Sequence, residues 1–123
     1  MSMSKTILVV DDEEDVRELL AHYLRRAGHD VVGAKSGQEG LSFLRLQSFD
    51  CVITDIAMPD TSGQDLIKAI KAGNKVPPKI IVLSAYSDML EEDPCIKSAD
   101  KLVSKPVDLK SFVKDVNKFL GVV

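Results

Sequence analysis

The chain alternates short, unbroken apolar runs with segments whose apolar residues recur every three to four positions. Ile7-Leu8-Val9-Val10 runs into Asp11-Asp12, Cys51-Val52-Ile53-Thr54 into Asp55, Ile80-Ile81-Val82-Leu83 into Ser84, and Leu102-Val103-Ser104 into Lys105-Pro106. These runs predict strands over residues 5–10, 51–54, 79–83 and 102–104, with a further strand over 30–34 interrupted by Gly33. Helical spacing follows four of the five. Asp15 can cap a helix carrying Val16, Leu20, Tyr23, Leu24 and Ala27, stopped by Gly28. Ser36 caps a helix bearing Leu41, Phe43, Leu44 and Leu46, and Leu66, Ile67 and Ile70 mark a third. Leu109, Phe112, Val113, Val116 and Leu120 mark the last. Between Ser84 and Leu102 the pattern weakens, because Pro94 falls where a fourth helix is expected. A proline inside a helix costs ~3 kcal/mol, so that helix starts at Pro94 or is short and distorted. Five βα units demand right-handed crossovers and a parallel sheet covered on both faces, an α/β three-layer sandwich.

Such a sheet places the strand ends, and the polar residues that close them, along one edge, where α/β proteins hold their ligands. Asp11, Asp12 and Asp55, the Ser84 hydroxyl and the Lys105 ammonium then converge. Two unit charges ~4 Å apart repel by roughly 4 kcal/mol at an effective dielectric near 20. Three clustered carboxylates therefore need compensation. Lys105 supplies one charge, and a hard, oxygen-preferring divalent cation such as Mg²⁺ supplies the rest. A carboxylate can itself attack phosphorus to give an aspartyl phosphate. Each signal alone has a plainer reading: an Asp pair caps helices, Lys-Pro makes turns, and a serine ends many strands. Their weight comes from falling in order at the ends of four different apolar runs.

Bulk properties narrow the field. With 123 residues the chain has the length of one domain. A formal charge of −3 offers no basic footprint for direct nucleic-acid binding. Cys51 and Cys95 lack metal or redox spacing and read as reduced thiols. No apolar run approaches the ~20 residues needed to span a bilayer, and residues 1–5 do not read as a signal peptide, so a cytoplasmic location without membrane insertion is expected. His22 and His29 read as surface residues, and no zinc-type cluster, phosphate-binding glycine loop or serine nucleophile elbow is present.

Val10-Asp11-Asp12-Glu13, Asp55-Ile56-Ala57-Met58-Pro59 with Gly63, Ser84-Ala85 and Lys105-Pro106 together resemble the receiver domain of bacterial response regulators, the CheY-like family of two-component signalling. The resemblance covers nearly the whole chain. It implies a flavodoxin-like sheet ordered 2-1-3-4-5 and a single receiver domain over residues 1–123 with no output domain in the chain. It implies Asp55 as phosphoacceptor. Asp12 becomes a direct Mg²⁺ ligand, with Asp11 acting mostly through water, and Asp55 and the Ala57 carbonyl complete the protein's share. Mn²⁺ is the expected substitute ion. Ser84 and Lys105 would bind phosphoryl oxygens, helped by backbone N–H groups near Ala57 and Ala85, and the bond before Pro106 would be cis. The implied partners are a sensor histidine kinase or histidine phosphotransfer protein, and an output domain or protein.

Three features depart from the family pattern. Leu102 stands where a switch Tyr or Phe is usual, Pro94 interrupts the fourth helix, and Ala57 and Tyr86 occupy the pair that tunes water access to the phosphoryl group. The main rival is a phosphohydrolase with an aspartyl nucleophile. It would favour a DxDxT-like signal after the first strand, where this chain has Asp11-Asp12-Glu13. A docking module with a relic site is the other rival, and the intact Asp12, Asp55 and Lys105 argue against it.

Overall fold

A computed structural model of the chain describes residues 5–56, 63–73, 77–84 and 94–121. Five strands, β1 (Thr6–Val10), β2 (Asp30–Ala34), β3 (Cys51–Asp55), β4 (Lys79–Ser84) and β5 (Lys101–Ser104), form one parallel sheet. Their order is β2-β1-β3-β4-β5, as the resemblance implied. Among the described residues the helices are α1 (Glu14–Arg26), α2 (Gly37–Leu46), α3 (Gly63–Gly73), α4 (Pro94–Lys97) and α5 (Leu109–Phe119).

The central strands are apolar at successive positions because both faces of the sheet are covered. Ile7, Val9, Ile53, Ile81 and Leu83 pack with Leu20 and Leu24 of α1 and with Phe112 and Val116 of α5. Leu8, Val10, Val52, Ile80 and Val82 belong to the opposite core, with Leu66, Ile67 and Ile70 of α3. Each such side chain contributes roughly 1.5–3 kcal/mol on full burial. Neither face tolerates an unpaired polar group until a strand ends, which confines the polar signals to the strand ends. The register then aligns those ends. Val10 pairs with Thr54, Asp55 with Leu83, and Ser84 with Ser104.

Helix boundaries follow local chemistry. Ser36 Oγ accepts the Glu39 N–H at 3.1 Å, and Glu39 Oε1 accepts the Lys35 N–H at 3.2 Å. Gly28, at φ +98°, turns the chain out of α1 as expected. Helix α4 is described over Pro94–Lys97, with the proline at its first described position, where a missing N–H costs no helical bond; the rest of the stretch in which a fourth helix is expected, residues 85–93, lies outside the described residues.

Two expectations need correction. Asp15 does not cap α1: Glu13 takes the cap position, and Asp15 lies in the first turn, where its charge suits the positive end of the helix dipole. Leu46 closes α2, as the spacing predicts, and is exposed there. His29 is buried rather than superficial. Its Nδ1 accepts the Lys5 N–H at 3.1 Å and its Nε2 lies 2.6 Å from Asn117 Oδ1, which places the ring proton on Nε2. Among the described residues no helix is long and apolar enough to cross a membrane.

Candidate functional site

The site lies at the C-terminal edge of β1, β3, β4 and β5. Asp11 follows the last residue of β1, Asp55 ends β3, Ser84 ends β4, and Lys105 follows β5. Asp11, Asp55 and Ser84 are buried, and Asp12 is exposed. The Lys105 ammonium donates to Asp11 Oδ2 and to Asp55 Oδ2, both at 3.2 Å, and lies 3.9 Å from Glu13 Oε1. The Lys105 N–H donates to the Ser84 carbonyl at 2.8 Å, which fixes the stem's origin beside β4. The Lys105–Pro106 bond is cis.

The sequence-predicted residues therefore meet as follows. Asp11, Asp12, Asp55 and Lys105 form one cluster, and Ser84 stands at the neighbouring strand end. Ala57, Ala85 and Tyr86 lie outside the described residues, as does the loop 58–62. Sequence reasoning missed two members. Arg17 Nη1 donates to the Asp11 carbonyl at 3.0 Å, a reach from the first turns of α1 that no residue pattern signals. The Thr54 hydroxyl donates to the Asp55 carbonyl at 2.9 Å; a lone hydroxyl in an otherwise apolar strand was its only trace.

Electrostatics follow from burial. Burial pushes the Asp11 carboxyl above its ordinary range, against the lowering pull of the Glu13 N–H and the Lys105 ammonium; the Asp55 charge adds to the rise. For Lys105, burial works to lower the value, but the Asp11 and Asp55 carboxylates outweigh it and hold the ammonium more firmly protonated. The lysine is thus a fixed cation shared by two strand ends.

The donor set fits a hard divalent cation. Asp11, Asp12 and Asp55 each offer a carboxylate oxygen, all within 4.8 Å of one another. All-oxygen donors of this kind suit Mg²⁺. The Cys51 thiol is inert: burial first, then Asp100 and Asp50, push it up to about 12.

Sheet order, covered faces and an acidic strand-end cluster bridged by one lysine define a doubly wound α/β protein whose sheet edge carries an oxygen donor set suited to a cation. Residues 7–117 match the model of the response regulator receiver domain, and the chain belongs to that family. It is 38% identical over 105 residues to the uncharacterized transcriptional regulatory protein YrkP of Bacillus subtilis, covering 85% of this chain and 44% of that protein. It is 36% identical over 115 residues to response regulator RR06 of Streptococcus pneumoniae, covering 93% and 52%. The chain thus spans about half the length of these curated relatives. The crystal structure of the response regulator TrrA from Thermotoga maritima in complex with Mg²⁺–BeF superposes with a TM-score of 0.84 at 38% identity, covering 93% of this chain and 97% of that one.

Proposed function

We propose that this domain takes a phosphoryl group from a phosphohistidine onto Asp55 and relays the change to an output partner. The observation that carries the reading is the Lys105 ammonium, 3.2 Å from both the Asp11 and the Asp55 carboxylates at one sheet edge. The family and the Mg²⁺–BeF complex of the Thermotoga relative support it.

The chemistry balances simply. An Asp55 carboxylate oxygen attacks phosphorus while the phosphorus–nitrogen bond to the donor imidazole breaks. The imidazole keeps the electron pair and takes a proton from solvent. Water later attacks the acyl phosphate, returning the aspartate and releasing inorganic phosphate. Lys105 orients a phosphoryl oxygen and offsets its charge, and the Ser84 hydroxyl donates to another. Positioning and electrostatics are the whole of the protein's contribution, as in phosphoryl transfer generally. Asp11, Asp12 and Asp55 would hold the metal, which would neutralise phosphoryl oxygen charge when bound. Mn²⁺ shares the oxygen preference and substitutes.

The donor is a sensor histidine kinase or a histidine phosphotransfer protein. We read residues 1–123 as one receiver unit, a regulator rather than a turnover enzyme. Its output lies in a separate domain or protein. A cytoplasmic setting agrees with the unpaired Cys51 thiol.

Intact mass after incubation with a small acyl-phosphate donor, with and without Mg²⁺, tests the assignment. The wild-type protein gains one phosphoryl mass only with Mg²⁺, and Asp55→Asn gains none. Undiminished labelling of Asp55→Asn overturns it.

A further inference from the structure

The backbone at the first of the two site aspartates is held from behind. The Asp11 N–H donates to the Ala34 carbonyl at the end of β2, at 3.1 Å. The Asp11 carbonyl accepts from Arg17 Nη1 at 3.0 Å. A peptide unit is planar, so fixing that carbonyl also fixes the nitrogen and Cα of Asp12. The Asp11 carboxylate is tied in turn, with Oδ1 accepting the Glu13 N–H at 2.9 Å.

Arg17 is itself seated by a gap in the sheet. A Cβ built on Gly33 would lie 3.3 Å from both Cγ and Cδ of Arg17. The arginine stem therefore crosses β2 where the backbone is bare. Glycine weakens a strand interior, and close approach of another group is a recognised reason to find one there. Gly33, an unexplained interruption in the sequence pattern, is explained by this crossing.

We infer that Arg17, seated on Gly33, is a positioning residue that sets the Asp11–Asp12 turn for cation binding. The inference rests on the proposed Mg²⁺ site. Its sign separates it from a simple charge effect. Arg17 is a cation near a cation site, so removing its charge alone strengthens Mg²⁺ binding by lowering repulsion. Removing a clamp weakens binding, because the carboxylates must be ordered by the ion itself.

Calorimetric titration of the full chain with Mg²⁺ measures the effect. Arg17→Met keeps an apolar stem over Gly33 but removes donor and charge. Its Kd rises about tenfold, the scale of losing an outer-sphere partner. Arg17→Lys retains a cationic donor and loses less. Gly33→Val keeps the arginine but displaces its stem, and weakens Mg²⁺ binding in the same direction. This second variant carries the test if Arg17→Met does not fold, and melts in chelator verify folding. Wild-type affinity or tighter binding in the folded Arg17→Met protein overturns the inference and leaves the metal site standing. With Arg17→Met unfolded, wild-type affinity in Gly33→Val overturns it. Failure of the wild-type protein to bind Mg²⁺ removes the metal site and the inference together.

Discussion

Burial holds the Asp11 carboxyl above its ordinary range even with the Lys105 ammonium 3.2 Å away. A folded-state value above the unfolded one means that the folded protein binds the proton more tightly. The ionised form then costs stability at every pH above the raised value, and the cost vanishes below the ordinary 3.8. Asp11→Asn should therefore raise the melting point in chelator at pH 7, with the gain shrinking as pH falls toward 4. Lys105 has the opposite sense. Its raised value means that its charge stabilises the fold below the ordinary 10.5 and ceases to do so as pH climbs through the raised value. Lys105→Met leaves two buried carboxylates without their shared cation and should cost about 1–3 kcal/mol at pH 7. Thermal melts of both variants across pH 4–9 check the pair. A destabilised Asp11→Asn at neutral pH would mean that its ion pair outweighs its burial.

Between elements, the same side chain chemistry decides what the sequence could disclose. The runs in β1, β3 and β4 were legible because strands buried on both faces must be apolar throughout. Strand order did not follow from the runs; it came from the resemblance carried by the strand-end residues. Long-range pairings left no local trace. His29 looked superficial after Gly28, because its partner Asn117 lies 88 residues away on α5. Leu46 keeps helical spacing, yet it is exposed at the end of α2. The His29–Asn117 bond ties the start of β2 to the C-terminal helix, remote from the strand ends that carry Asp55. Asn117→Leu strands a buried imidazole N–H and should cost about 1–3 kcal/mol. Adding His29→Leu should recover part of that loss, since an unmade bond costs less when both partners are gone. The double-mutant cycle in urea measures the coupling, and zero coupling would show that the bond contributes nothing.

At the scale of the whole molecule, the site exists only when the sheet does. Lys105 lies 94 residues from Asp11 and 50 from Asp55, and parallel strands bring the three together through crossovers. The unfolded chain offers scattered carboxylates and no preformed cluster, so an ion bound at this edge binds the native state alone. Binding free energy then becomes folding free energy. At about 100 times its dissociation constant, Mg²⁺ adds about 2.7 kcal/mol, which for a domain of this size raises the melting point by roughly 10 °C. Asp12 is the discriminating residue, because it belongs to the cluster yet is exposed and outside both cores. With Lys105 already offsetting Asp11 and Asp55, removing Asp12 should leave the metal-free melt within ~0.5 kcal/mol of wild type, or slightly above it. Asp12→Ala should at the same time lose most of the Mg²⁺ response. Melts of both proteins in chelator and in excess Mg²⁺ separate the two effects. An equal Mg²⁺ shift in Asp12→Ala would place the ion away from the acidic turn.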